Sequence, residues 1–296
     1  MKILHIANFG FNKQGAHFYC TDRKISAGLI ENGHFVYDFS FRDMARMGTI
    51  FKTKKLGAKW ANKEVLKVVN NIEPDLVLIG HSDLMSPDVL RQIKESYPNT
   101  KIAFWYVDPL YLENKLDFVK AFSPYLDAIF CGVVYKEPER EKFLKDLAEA
   151  LQQGHVNYQY YGCFEQPGVY GKAYYKVLSE TKMGLNYSRR NDVTLYSSDR
   201  IVQLTGNGLL TFSPRIPGFE KLYTEQEVVY FDDQFDLAKK IQFFDQNPEQ
   251  AVKVAKEGWE KTRKSFNAKR ITQFMVEVTF KQPLSEDYEW SHEVYA

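Results

Sequence analysis

From its first residues the chain alternates short apolar runs with longer amphipathic stretches. Residues 2–8 carry the run Ile-Leu-His-Ile-Ala, closed by the turn formers Asn8, Gly10 and Asn12. A short apolar run bounded by turn residues reads as a buried strand. Residues 16–30 then have helical spacing and stop at Asn32-Gly33. Further strands are predicted at 34–40, 76–80, 102–107 and 128–134, separated by helices at 59–72, 88–97 and 113–122. Ser86-Pro87 marks one helix start, an N-cap followed by proline in the first turn. The runs Leu-Val-Leu-Ile-Gly and Ala-Ile-Phe-Cys-Gly-Val-Val are continuously apolar rather than alternating, as in strands covered on both faces. Strands separated by helices imply right-handed βαβ units and a parallel sheet.

The second half repeats the theme. Helices are predicted at 137–153, 170–180 and 198–206, and extended segments at 156–161, 182–188, 208–212 and 228–231. From Asp233 to Phe280 the pattern is nearly all helical, and the acidic, aromatic residues 281–296 have no period. The expected fold class is therefore α/β: two Rossmann-like domains, residues 1–131 and 132–280, facing a cleft, with a helical C-terminal end and a tail at 281–296. Ligands of such sheets bind beyond the carboxyl ends of the strands.

Composition narrows the function. Two domains are the natural reading of 296 residues, and 44% hydrophobic with 26% charged residues is ordinary for a globular protein. Lysine plus arginine (39) nearly cancels aspartate plus glutamate (38), which disfavours nucleic acid as a partner. The N-terminus lacks a signal-peptide core, and no apolar run approaches the ~18 residues needed to span a bilayer. Cys20, Cys131 and Cys163 are widely spaced without a CxxC pair, which suits free thiols and a cytoplasmic address. There is no HExxH, no Cys/His cluster and no spaced pair of aspartates. Asp232-Asp233 reads as a helix cap, so neither a metal site nor a cofactor is expected.

Candidate chemistry falls at strand ends. His81-Ser82-Asp83 follows a strand, and a histidine beside an acid suits a base or an acceptor-orienting pair. Asp108 is placed similarly, with Trp105 and Tyr106 adding stacking surface. Asn8, Gly10, Asn12 and Gly15 form the loop after the first strand, without the spacing of a dinucleotide or Walker fingerprint. In the second half, Ser188-Arg189-Arg190 after a strand is an anion-site candidate, since guanidinium pairs bidentately with phosphate. Lys136 and Arg140 sit between a strand and a helix, and Asp199, Arg200 and Gln203 share one turn of a helix.

Several motifs in the second half occur in a familiar order: Val169-Tyr170-Gly171, Tyr174-Tyr175, Lys182–Asn186, Asp199–Gln203, Gly206–Phe212, Glu227–Phe231, Phe235–Leu237, Ala255–Phe266 and Arg270. Through them residues 162–280 resemble the C-terminal domain of the CgeB/YkvP-like glycosyltransferases, which are related to retaining glycosyltransferases of the group 1 type and have the GT-B architecture. Trp105–Asp108 extends the resemblance into the first half. The family's glutamate in R-x-x-E is Gln203 here, and the passage between domains is shorter.

The resemblance implies metal-independent transfer of a sugar from a nucleotide-sugar donor to a glycan or lipid-linked acceptor, the latter allowing peripheral membrane contact. It places Lys136, Arg140, Ser188, Arg189, Arg190, Asp199, Arg200 and Gln203 at the donor. The acceptor side is then Asn8, Gly10, Asn12, Gly15 and Trp105, with His81, Asp83 and Asp108 as catalytic residues. A non-catalytic binding protein of the same fold and a sugar-nucleotide 2-epimerase-like enzyme are the competing readings.

Overall fold

A computed structural model describes residues 1–107, 113–131, 139–153, 159, 161, 166–188, 190–196 and 198–295. The chain forms two compact units: Met1–Gly132 together with Asn267–Ala296, and Val133–Phe266.

The first unit contains β1 (Lys2–Ala7), α1 (Thr21–Glu31), β2 (Phe35–Ser40), α2 (Phe41–Met47), α3 (Lys54–Ile72), β3 (Leu76–Ile79), α4 (Pro87–Ser96), β4 (Lys101–Tyr106), α5 (Glu113–Phe122) and β5 (Ala128–Cys131). The strands make one parallel sheet in the order β2-β1-β3-β4-β5. Strand residues alternate between two covered faces. Leu4, Ile6, Val77, Ile79, Ile102 and Phe104 pack against Val65 and Val69 of α3 and Leu90 and Ile93 of α4. On the opposite face Ile3, Ala7, Leu76, Leu78, Ala103 and Trp105 meet Ile25 and Leu29 of α1. Burial on both faces explains why these strands are apolar without alternation. The strand order reverses between β1 and β3, and such a switch point opens a crevice beyond the strand ends.

Two local expectations change. Residues 16–20 are not in the expected helix: a short 3₁₀ turn at Phe11–Lys13 is followed by left-handed Gln14 (φ 49°) and Gly15 (φ 88°), and α1 begins only at Thr21. α2 occupies a basic stretch in which no element was expected, and α3 starts at Lys54 rather than at 59.

The second unit contains α6 (Glu139–Gln153), α7 (Lys172–Glu180), β6 (Met183–Leu185), α8 (Arg200–Gly206), β7 (Leu210–Pro214), β8 (Val229–Phe231), α9 (Gln234–Gln246) and α10 (Pro248–Ser265). Its described strands form a parallel sheet in the order β6-β7-β8. Leu147 and Leu151 of α6 pack with Leu210, Phe212, Phe231 and Leu237 in its core. Most of the extended segment expected at 156–161 lies outside the described residues.

The last helix, α11 (Ala268–Thr279), departs from the expected boundary. It and the tail belong to the first unit, not to residues 132–280 with a separate tail. The cause is close packing on α1: a Cβ built on Gly28 would lie 2.3 Å from the Ala268 carbonyl oxygen. Asn32 Nδ2 donates to the Lys269 carbonyl at 2.8 Å, and Met275 and Val276 enter the core with Trp105. The tail then folds back. Tyr288 is buried and donates to Glu277 Oε2 at 3.0 Å. The Arg270 guanidinium lies 4.8 Å over the Tyr288 ring and 5.2 Å over Trp290, and it pairs with Glu286 and Glu289. No described helix is long and apolar enough to cross a membrane.

Because Tyr288 fills a closed aromatic site, Tyr288→Ala should cost about 3–5 kcal/mol of stability, the range for large-to-small changes in cores. Urea unfolding of the full chain measures this. A loss under about 1 kcal/mol would mean that the tail is only loosely applied.

Candidate functional site

The loop after β1 is held by side chains rather than by a ladder of its own. The Asn8 N–H donates to Asp22 Oδ1 (3.0 Å), Phe9 N–H to Ser40 Oγ (3.2 Å) and Phe11 N–H to Asp43 Oδ2 (2.7 Å). Gly10 is buried in a left-handed conformation (φ 62°), while Asn12 and Gly15 are exposed. At the end of β3, His81 reaches back to the same carboxylate, with Nδ1 3.2 Å from Asp22 Oδ1. Burial raises the Asp22 carboxyl, but the hydrogen bond and charge of His81 and the Asn8 N–H bring it below the usual value overall.

This geometry corrects the sequence pairing. The acid beside His81 is Asp22, from α1, and not Asp83. Asp83 accepts from Arg42 Nε at 2.8 Å and Lys54 Nζ at 3.4 Å. Burial opposes its ionisation, yet these two cations hold it below the usual carboxylate range. Asp108 lies outside the described residues.

Trp105 is also corrected. Its indole is 4% exposed, so it offers no open face to a sugar. It meets the His81 ring edge-on, with centroids 5.0 Å apart. A Cβ on Gly80 would lie 2.3 Å from the indole, so only glycine fits there. The indole N–H, a donor only, points to His5 Nε2 at 3.2 Å. His5 must therefore carry its proton on Nδ1, which donates to Ser26 Oγ (2.8 Å), and Ser26 in turn donates to Asp38 Oδ1 (2.6 Å). A buried polar chain thus runs beneath the edge and fixes the indole on which His81 rests.

In the second unit a cavity of about 330 Å³ opens at the carboxyl ends of β6, β7 and β8. Phe143 and Tyr187 stack with centroids 3.9 Å apart and planes 6° off parallel, and Phe231 continues this aromatic wall. Asn191, Arg215 and Asp232–Gln234 form the polar side. Arg200 donates to the Tyr187 carbonyl at 3.0 Å and so ties α8 to the end of β6. Ser188 and Asn191 close a turn through Ser188 N–H to Asn191 Oδ1 at 3.1 Å. Ser188 Oγ and Asn186 Oδ1 are buried without a hydrogen-bond partner among the described residues. Such atoms normally find a partner in protein, water or ligand.

The predicted donor residues divide. Gln203 is buried and donates Nε2 to Asp199 Oδ2 at 2.8 Å, so the shared helical face is real. Arg190 turns its guanidinium onto Asp192, two residues on. Arg140 lies in α6, but its side chain, with Lys136 and Arg189, lies outside the described residues. Asp233 caps α9, accepting from Phe235 and Asp236 N–H at 2.8 Å each. Tyr187, Phe143 and Arg215 were not anticipated. Tyr187 had a readable signal, as an aromatic residue just past a predicted strand. Among the described residues no His, Cys, Asp and Glu side chains group into a metal site.

The profile of a family described as glycosyl transferase-like matches residues 139–277. Among solved structures, the chain is similar to sucrose-phosphate synthase from Thermosynechococcus elongatus (TM-score 0.57, 12% identity, covering 95% of this chain and 98% of that one). It is likewise similar to AviGT4, a glycosyltransferase of avilamycin A biosynthesis (0.52, 12%, 95% and 97%). Anabaena HepE in complex with UDP is a third (0.51, 12%, 95% and 100%). No curated protein matches the sequence. The chain has the GT-B fold, and its residues 139–277 match a glycosyl transferase-like family.

The buried chain beneath His81 makes stability depend on pH. Burial pushes His5 down to about 4, against an ordinary 6.5. Between these values the unfolded chain binds a proton at residue 5 that the folded chain does not, so stability falls as pH drops. The loss attributable to His5 is roughly 3 kcal/mol across the window. His34, lowered by burial and then by the N-terminal ammonium, acts in the same sense. Urea unfolding from neutral pH downward should show the slope, and His5→Gln should flatten most of it. An unchanged slope in that variant would assign the effect to other groups.

Proposed function

We propose that this chain transfers a sugar from a nucleotide-sugar donor held in its second unit to a glycan or lipid-linked acceptor, without a metal ion. The observation that carries the reading is the cavity at the carboxyl edge of β6, β7 and β8. It lies within the segment matching the glycosyltransferase family and joins an aromatic wall, Phe143, Tyr187 and Phe231, to the polar side chains Asn191, Arg215 and Asp232. HepE is known in complex with UDP and with UDP-glucose, which makes uridine diphosphate donors the first class to test.

The base lies on the wall of Phe143, Tyr187 and Phe231. Asp199, oriented by Gln203, supplies the carboxylate for the ribose hydroxyls. This replaces the family's glutamate, because a glutamine offers one acceptor oxygen and spends its amide N–H on Asp199. The diphosphate meets the turn at residues 188–191, with Arg189 and Arg190 as its cations. Exchanging the Arg190–Asp192 pair for phosphate costs little, since exposed ion pairs contribute about 0–1 kcal/mol. Guanidinium and backbone N–H groups then take up the charge that grows on the leaving diphosphate.

His81 serves the acceptor. Asp22 accepts a hydrogen bond from Nδ1–H and so fixes the tautomer, which leaves the Nε2 lone pair to remove the proton of an acceptor hydroxyl. That oxygen forms the new bond to the anomeric carbon as the bond to the diphosphate breaks.

UDP should raise the melting temperature of the chain, because it binds the folded state. Tyr187→Ala should weaken UDP binding about ten-fold, the loss of one stacked aromatic face. His81→Ala should lower turnover by a factor of about 10²–10⁴ with UDP affinity unchanged. Turnover should persist in excess chelator. Calorimetric titration and release of UDP from UDP-sugars measure these outcomes. Tight UDP binding unaffected by Tyr187→Ala would move the donor elsewhere, and binding without turnover would identify a non-catalytic relative.

A further inference from the structure

We propose that the turn joining α2 to α3 is a docking tip that seats the first unit on an anionic lipid bilayer. Met47, Ile50, Phe51 and Leu56 are 75%, 96%, 78% and 66% exposed. Single exposed apolar residues are ordinary, but four within the ten residues 47–56 form a patch that calls for an occupant.

The patch is braced. α2 and α3 approach so closely that a Cβ on Gly57 would lie 1.6 Å from the Ala45 carbonyl oxygen. Trp60 packs over Gly48, where a Cβ would come within 2.6 Å of the indole. Thr53 N–H donates to Thr49 Oγ1 at 3.2 Å and closes the turn. Side chains that stand out from a braced turn are displayed to solvent by the fold.

Charge selects the occupant. Residues 41–60 carry six basic side chains and one acid, Asp43, in a chain whose net charge is only +1. Asp43 is itself buried and paired with Arg46. Lys52, Lys55 and Lys59 are exposed and ion-paired with no acid among the described residues. A polyanionic nucleic acid would match the lysines but gives Ile50 and Met47 nothing apolar to enter. A second copy of the chain would set like charge against like. An anionic bilayer satisfies both halves, with lysines at the headgroups and the apolar tip below them.

The tip belongs to the same sheet edge as His81. Arg42 and Lys54, one on each flank of the turn, both bind Asp83, which follows His81 by two residues. Docking would therefore bring the acceptor-side edge to the membrane surface and favours a lipid-linked acceptor. That last step rests on the glycosyltransferase reading, whereas the docking itself does not.

The test is co-sedimentation of the full chain with vesicles of phosphatidylcholine alone, or with about 30% phosphatidylglycerol. Binding is expected to the anionic vesicles and should fall as salt is raised. The double variants Ile50→Ser/Phe51→Ser and Lys52→Glu/Lys55→Glu should each bind at least about ten-fold less. Both replace exposed side chains, so their melting temperatures and UDP affinity should match those of the parent. Absence of parent binding, or equal binding by the Ser/Ser variant, would overturn the proposal. Self-association of the parent that the Ser/Ser variant loses would also overturn it, assigning the tip to a second copy. Either failure leaves the UDP titration untouched, so the two readings fall separately.

Discussion

The buried carboxylate of Asp22 is the fixed point of the first unit's functional edge. It sits in the first turn of α1, where the helix dipole favours negative charge, yet it is only 3% exposed. Burial alone would push its carboxyl up. What holds it ionised are the Asn8 N–H, 14 residues away in sequence, and His81, 59 residues away. One side chain thus ties together the end of β1, the end of β3 and the start of α1, the three elements that meet where the strand order reverses. Losing it would strand a backbone N–H and release the imidazole together, at a cost of about 1–3 kcal/mol for each buried group left unpaired. The position of His81 is therefore set by the fold, and Trp105 and the His5–Ser26–Asp38 chain fix its second contact.

The second unit follows a different logic. Its candidate site rests on a three-stranded sheet with little polar scaffolding, and its described cations are engaged locally. Arg190 binds Asp192, Arg200 binds the Tyr187 carbonyl, and Arg215 binds Glu225 and Asp232. The Arg215 carboxylate partners are 70% exposed, so these pairs exchange readily for a more strongly charged group. Ser188 Oγ and Asn186 Oδ1 cannot exchange, being buried and unpartnered among the described residues. The first unit holds its histidine before any ligand arrives, whereas the second keeps hydrogen-bonding capacity in reserve at its strand ends.

Strand positions were legible because parallel strands covered on both faces leave unbroken apolar runs, as at Leu76–Ile79. The helix expected from residue 16 begins only at Thr21, because the chain passes through left-handed Gln14 and Gly15 before it, which only the backbone reveals. α2 was invisible for another reason: it follows β2 without an intervening loop and carries arginines where a stop signal would stand. α11 was seen as a helix but given to the wrong unit, since periodicity reports that a helix has an apolar face and not which sheet covers it. The small size of Gly28, on which that choice turns, looks in sequence like any helical glycine. His81 was found from its place after a strand, while its acid was sought in the neighbouring Asp83. Sequence adjacency is a poor guide in a parallel sheet, where the ends of β1 and β3 are close in space and far apart along the chain.

Gln203 shows how a substituted position can be read only with its neighbours. Taken alone, an amide where R-x-x-E has a glutamate removes a charge from that face of the helix. In the fold, residue 203 lies one helical turn after Asp199 with the two side chains 2.8 Å apart. A glutamate there would bring two carboxylates together, and one of them would have to keep a proton. The glutamine avoids this by donating its N–H to the Asp199 carboxylate. The negative charge is moved one turn towards the helix start, where the dipole favours it, and is not lost. The pair Asp199–Gln203, rather than residue 203 alone, is therefore the unit to set beside the glutamate of R-x-x-E.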